Sequence, residues 1–199
     1  MADILDVIAT CDGDVHSFTF TEADLSGLQL GHVEFEDCQF ESCAFAELQA
    51  ERLSFDRCTF ESCDFSNARL PQSFWRDCEL HDSRLVGCDL HKSYMMRCSL
   101  DGCSAGYINL SESKVQQCRF TACDLHEASL SQLSLKRVTL DSCDLTRAEL
   151  FLTRLRGVDL SSCVLAQIRL SDTCMELRGA KVGLDQAPDL LGLLGVTLA

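Results

Sequence analysis

Fourteen cysteines and five histidines in a chain of 199 residues raise metal binding, thiol redox chemistry and nucleophilic catalysis before any other function. The spacing of the cysteines decides among these. They stand at 38, 43, 58, 63, 78, 88, 98, 103, 118, 123, 143 and 163, so every separation is a multiple of five, and only Cys11 and Cys174 fall off that grid. A structural zinc site needs thiolates and imidazoles converging on one tetrahedral centre, whereas these cysteines are spread evenly along the chain. Neither a metal nor a cofactor is expected. There is also no glycine-rich phosphate loop, no nucleophile elbow and no pair of histidines at ligand spacing, so no catalytic residue is assigned and an enzyme is not expected. The N-terminal residues lack the basic and apolar regions of an export signal. The expected location is therefore the cytoplasm, where thiols stay reduced.

The carboxylates are the second candidate chemistry. There are 31 acids against 17 bases, a formal net charge of −14, in a chain that is 46% hydrophobic. That apolar fraction supports a folded domain, and no run approaches the roughly 20 apolar residues of a membrane span. A field this negative disfavours nucleic acid and anionic membranes and favours basic partners, or mimicry of a polyanion.

The elements that position both sets follow from the period of five. The residue two places after each grid cysteine is Leu or Phe in all but one case, and this central slot runs without insertion from Phe20 to Met175. That makes 32 units, with only Ala50, Trp75, Met95, Ala105, Val115 and Met175 departing from Leu or Phe. A period of five fits neither a helix nor a flat strand; it fits a chain that turns a corner once per unit. A second period of 20 is superimposed. One column of the small slot reads Phe18, Cys38, Cys58, Cys78, Cys98, Cys118, Val138, Val158, and the next reads Ala23, Cys43, Cys63, Ser83, Cys103, Cys123, Cys143, Cys163. Four units therefore make one square coil, with faces centred on Phe20, Leu25, Leu30 and Phe35. Twelve cysteines fall in the small slot and are expected as free packing thiols; His16, His32, His81, His91 and His126 fall outside both the small and the central slots.

Units such as Ala23-Asp24-Leu25-Ser26-Gly27, Cys63-Asp64-Phe65-Ser66-Asn67 and Cys143-Asp144-Leu145-Thr146-Arg147 resemble the pentapeptide-repeat family. The resemblance implies an all-β solenoid: a right-handed quadrilateral β-helix of about eight 20-residue coils with a short C-terminal α-helix. Residues 1–17 read as an N-terminal cap, 18–177 as the β-helix, and 178–199 as a terminal helix and dimerisation tail. In that tail Asp185 is expected to cap a helix over 184–195. Ala187, Leu190, Leu191 and Leu194 line one face of it, and Leu193, Val196 and Leu198 add apolar surface. This ending looks like the C-terminus of Qnr-type, topoisomerase-protecting members, which implies a homodimer through Ala187, Leu190, Leu191, Leu193, Leu194 and Val196. The uninterrupted grid differs from several Qnr-type proteins, whose coils are broken by loops.

Sorting charges by face exposes an asymmetry. The Phe20 face carries Glu22, Glu41, Glu61, Glu79, Asp82, Asp101, Asp141 and Asp159, and the Leu25 face carries Asp24, Glu47, Asp64, Asp124, Glu127 and Asp144. Only Arg84, Arg119 and Arg147 oppose these 14 acids, whereas the other two faces are nearly neutral with 11 acids and 12 bases. Residues 1–51 hold 12 acids and no Lys or Arg. At roughly 4.8 Å per coil the stripe carries about one charge per 2.7 Å, against one per roughly 1.7 Å in duplex DNA. The family resemblance implies a DNA mimic that binds a type II topoisomerase, DNA gyrase or topoisomerase IV, and inhibits it or protects it from quinolones or a toxin. The alternative is an interaction scaffold for another basic protein.

Overall fold

The computed structural model describes residues 3–196; Leu198 lies outside them. Each five-residue unit is one side of a coil. Its central residue and the residue two before it point inward and are buried along nearly the whole grid, and the residues between them face solvent. The corner falls two residues after the centre, at most corners in the left-handed region, where the non-glycine residues on the grid have φ between +46° at Asp82 and +61° at Leu152. Because non-glycine residues resist that conformation, each corner must be held from outside. The backbone of the next coil holds it: Glu22 N–H donates to Glu41 O, and Ser42 N–H to Glu61 O, both at 2.9 Å.

Stacked coils form parallel ladders on all four faces. The Phe35 face is a seven-stranded sheet built from Asp14–His16, Glu34–Glu36, Ser54–Asp56, Phe74–Arg76, Tyr94–Met96, Lys114–Gln116 and Ser134–Lys136. The Phe20 face is a second, running from Thr19–Thr21 to Thr139–Asp141. The Leu25 and Leu30 faces continue one rung further, to Val164 and Arg169. The eight coils expected from the period are thus eight rungs on two faces and seven on the others, where the last rung is missing. The first rung is laid by Asp14–His16, within the segment expected as a cap, and Val15 is fully buried.

The core is a stack of equivalent side chains. Phe40 lies on Phe60 at 4.9 Å between ring centroids, Phe45 on Phe65 at 4.4 Å and Phe35 on Phe55 at 5.4 Å, each pair close to parallel. Trp75 fits the Phe column because the small slot before it is serine: Ser73 accepts the indole N–H at 2.8 Å and meets the Ser93 hydroxyl at 2.9 Å.

Both ends are closed by elements off the grid. Helix α1, Ile4–Thr10, is capped by the Asp3 carboxylate on Leu5 N–H and buries Ile4 and Val7 over the first coil. At the other end the grid stops one unit short of expectation: Met175 is exposed, and its neighbour Glu176 turns inward. The Glu176 carboxylate accepts from Leu152 N–H and the Ser171 hydroxyl, both at 2.9 Å. Helix α2, Ala187–Leu193, follows a 3₁₀ turn, Leu184–Gln186. Asp185 does not cap it. The buried Gln186 amide takes that place, accepting from Gly183 N–H at 2.7 Å and donating to Leu160 O and Cys163 O at 2.7 and 2.5 Å.

Candidate functional site: the acidic faces

The Asp at the second position of a unit has a local task. Asp24, Asp64, Asp124 and Asp144 each accept the backbone N–H two residues on, at 2.8–3.0 Å, and Asp159 does the same with Ser161. These are turn-forming contacts that stabilise the side's exit into its corner. They hold the Asp24 and Asp159 carboxyls below the usual range, Ser26 and Ser161 being the donors. Four acids of the stripe have a cationic or imidazole neighbour: Glu79 with His81, Asp124 with His126, Glu127 with Arg147, and Asp159 with Lys181. Glu22, Glu41, Glu47, Glu61, Asp82 and Asp101 make no ion pair among the described residues and are exposed, although His81 stands beside Glu61 and Asp101 in the ladder. No acid of the stripe is buried; Asp64, Asp124, Glu127 and Asp144 are half-buried and the rest exposed.

Register sharpens the contrast between faces. On the Phe20 face Glu41 stands directly beside Glu61 in the ladder, a like-charge pair that destabilises a sheet. On the Phe35 face acids alternate with bases one coil away. Arg57 grips Asp37 with its Nε and Nη2 at 2.7 and 2.9 Å, Arg97 grips Asp77 at 2.5 and 2.6 Å, and Arg76 binds Asp56. Arg57 also reaches Glu36 and Asp56. These guanidinium partners, Arg57, Arg76 and Arg97, hold Asp37, Asp56 and Asp77 below the ordinary carboxylate range. The network was readable as opposite charges 20 residues apart, a signal that the separation of faces by net charge alone passes over.

Eleven of the cysteines stand in two inward rows, Cys88 lies on a third face, and all fourteen are free thiols. Twelve are buried, while Cys11 and Cys174 are half-buried. Cys43, Cys58 and Cys78 donate to carbonyls of the preceding coil, at Phe20, Phe35 and Phe55, at 3.3–3.4 Å. Neighbours in a row perturb each other in opposite senses, Cys63 upward and Cys43 downward to about 7, because each thiol's ionisation is coupled to the thiol beside it. Cys88, alone on its face, shows the effect of burial undiluted: its pKa is raised first by desolvation and then by Asp89. Among the described residues no group of three or more His, Cys, Asp or Glu is placed to hold a metal, and no helix is long and apolar enough to cross a membrane.

On α2, Ala187, Leu190, Leu191 and Leu193 are half-buried, and Leu194 and Val196 are exposed at 62% and 47%. Leu184 is 93% exposed. The Gln186 amide, just before the helix, binds the last coil, and Leu190 and Leu193 pack against the core.

Similar folds occur among solved structures. QnrB1, a plasmid-mediated fluoroquinolone resistance protein, matches 92% of this chain and 100% of its own, at 18% identity and a TM-score of 0.44. HetL, a pentapeptide repeat protein involved in heterocyst differentiation regulation in the cyanobacterium Nostoc, matches 91% of this chain and 95% of its own at 13% identity and a TM-score of 0.36. Rfr23, a pentapeptide repeat protein from the cyanobacterium Cyanothece, matches 69% of this chain and 95% of its own at 10% identity and 0.32. No curated protein matches the sequence. The family model described as a pentapeptide repeat region matches residues 29–105 and 73–150. With more than half of the chain so matched, and a corner turned every five residues around a dry ladder of Leu and Phe, the chain belongs to the pentapeptide-repeat family.

Proposed function

We propose that this protein is a DNA-mimicking rod that binds a type II topoisomerase, DNA gyrase or topoisomerase IV, in the cytoplasm, and inhibits it or protects it from quinolones or a topoisomerase-directed toxin. The observation that carries the reading is the Phe20 face, where Glu41 and Glu61 stack without a cation while the chain pairs its acids on the Phe35 face. Stability alone would favour pairing on both. Basic side chains that grip phosphates would grip these carboxylates, and the corner acid Asp82 and ladder acid Asp101 extend the row. Two copies join through Ala187, Leu190, Leu191, Leu193, Leu194 and Val196 about a two-fold axis, which places an acidic tip at each end of a longer rod. An isologous contact of this kind is the commonest route to a dimer, and the exposed Leu184, Leu194 and Val196 flanking α2 support it.

A supercoiling and drug-induced cleavage assay with purified gyrase, with and without a quinolone, tests this. The parent protein should inhibit supercoiling or reduce cleavage. Glu41→Gln, Glu61→Gln, Asp82→Asn and Asp101→Asn together should weaken the effect by about tenfold or more and flatten its salt dependence, because fewer ion pairs form on association. A control set, Arg52→Gln, Arg69→Gln and Lys114→Gln, removes exposed bases that are in no ion pair and should change little. Equal losses from both sets, or no binding to either topoisomerase, would move the reading to a scaffold for another basic protein.

A further inference from the structure

The ladder is interrupted once. Among the described residues no backbone–backbone hydrogen bond joins residues 134–141 of the seventh coil to the eighth; the two ends of this stretch are tied across by Leu133 N–H to Thr153 Oγ1 and Ser142 N–H to Ser162 Oγ, at 2.8 and 3.0 Å, and the Leu25 and Leu30 faces keep their rungs at Asp144–Val164 and Glu149–Arg169. The eighth coil is bonded onward to the C-terminal cap, Leu155 N–H to Glu176 O and Gly157 N–H to Gly179 O at 3.0 and 2.8 Å. Between its two ties to the seventh coil, the edge joining the Phe35 and Phe20 faces carries no rung. Three further observations mark the opening. Leu135 and Leu140 are half-buried, in columns where every earlier residue from Phe20 and Phe35 onward is buried. An apolar crevice of about 30 Å³ runs in beneath them. A Cβ on the corner residue Gly157 would meet nothing within 4 Å, whereas at Gly87 and Gly102 it would meet Asn67 and Asp82 of the preceding coil at 2.6 Å.

The lips of the gap carry like charges. Lys136 and Arg156 occupy equivalent outward positions on successive coils, the same column in which Asp56 and Arg76 bind each other. Full pairing would bring those like charges to one rung spacing, about 4.8 Å, where they oppose it. Arg137 and Arg154 add to the same lips; all four are exposed and none is in an ion pair. The nearest carboxylates are committed elsewhere: Asp141 to the hydroxyls of Ser142 and Ser162, Asp159 to Ser161 and Lys181, and Glu176 to Leu152 and Ser171. The chain supplies cations on both lips and no counter-charge.

We propose that Lys136, Arg137, Arg154 and Arg156 form a binding site for a multivalent phosphate-type oxyanion, and that binding draws the eighth coil onto the seventh. Guanidinium groups recognise such oxyanions bidentately, and an anion touching both lips binds the closed state better than the open one, which is what a population shift requires. The net negative charge of the chain does not oppose this, because its acidic faces are screened over a Debye length of about 8 Å. Closure would bury Leu135 and Leu140 and restore the missing rungs.

Amide exchange read by mass spectrometry on the full chain tests the site, with inorganic pyrophosphate as probe. Without it, residues 133–142 should exchange at least tenfold faster than 113–122 one coil earlier; with it, 133–142 should slow at least tenfold. Lys136→Gln with Arg156→Gln removes the repulsion, so that segment should be slow from the start and unresponsive to pyrophosphate. Lys136→Glu, which places an acid opposite Arg156, should close the gap in the same way and serves if the double variant folds poorly. A parallel arm with ADP separates the sources: equal potency assigns the phosphates alone, and tighter binding assigns a nucleotide. Exchange unchanged by either anion in the parent protein, or slowed equally in the variants, would overturn the proposal.

Discussion

Glu61→Gln should make the protein more stable, although it removes a charge from the face proposed to bind the partner. Glu61 and Glu41 are ladder neighbours on parallel strands, so their carboxylates are about one rung, roughly 4.8 Å, apart. Two unit charges at that distance in water repel by about 0.9 kcal/mol. Screening at physiological ionic strength reduces this to about 0.5 kcal/mol, within the about 0.2–1 kcal/mol span of cross-strand pairs. His81, on the other side of Glu61, keeps its contact with Glu79. For a chain of this size about 0.5 kcal/mol raises the melting temperature by about 1–2 °C. Differential scanning calorimetry at low salt should resolve the rise, and at high salt it should vanish. The matched control is Asp37→Asn on the Phe35 face. It sits at a corner with φ +53°, a conformation asparagine tolerates, and loses the bidentate grip of Arg57. That variant should melt lower. A fall in melting temperature for Glu61→Gln, or a gain independent of salt, would refute the view that the acidic row stands at a cost to stability.

Thiol labelling of the native protein should modify Cys11 and Cys174 first and leave the twelve buried thiols untouched for as long as the coils hold; rapid labelling of a dozen would sink the packing role. Removing metals with a chelator should leave the melting curve unchanged, and a drop would expose a site the ligand spacing does not provide. Leu190→Asp with Leu194→Asp should give monomers by light scattering with the coils intact, because each coil contacts mainly its neighbours; an unchanged dimer would reject this interface. Replacing Glu176 by alanine removes hydrogen bonds to a buried carboxylate, a loss of about 1.5–3 kcal/mol felt first at the C-terminal coils in amide exchange. Acid should act on the same groups. Burial opposes the charge on Glu176, but Leu152 and Ser171 outweigh it, and Arg57, Arg76 and Arg97 lower Asp37, Asp56 and Asp77. Their contribution is complete above the ordinary carboxylate pKa and is lost as pH falls through the lowered values. Thermal melts from pH 7 downward should therefore decline below about pH 4, and a flat profile would deny these pairs a share in stability.

The inward slots were legible because a closed coil admits few shapes there. A large residue at the centre and a small one two before it recur at Phe40 and Cys38, Phe60 and Cys58, Leu100 and Cys98, and no charge interrupts them. The corners were not legible in the same way. Their left-handed backbone accepts Arg57, Ser62 and Ala122 alike, because the hydrogen bond to the next coil, and not the side chain, holds the conformation. Glu176 and Gln186 were hidden for the opposite reason. Each is a single polar residue off the grid, and its burial depends on orphan backbone groups, Leu152 N–H or Leu160 O and Cys163 O, that exist only once the last coil ends.

Charge lies between these cases. A residue's face follows from its number modulo 20, but its effect depends on what stands 20 residues away. Asp56 before Arg76 gives a bond, Glu41 before Glu61 a repulsion the ladder tolerates, and Lys136 before Arg156 a repulsion at which the ladder is open. The difference between the last two is position. Glu41 and Glu61 lie in the interior of the stack, where rungs on both sides resist opening, whereas the eighth coil is the last of the stack and is bonded onward only to the C-terminal cap. In a solenoid whose core repeats identically, function can be written only on the outward residues, and its energetic cost is lowest where the neighbouring coils carry it.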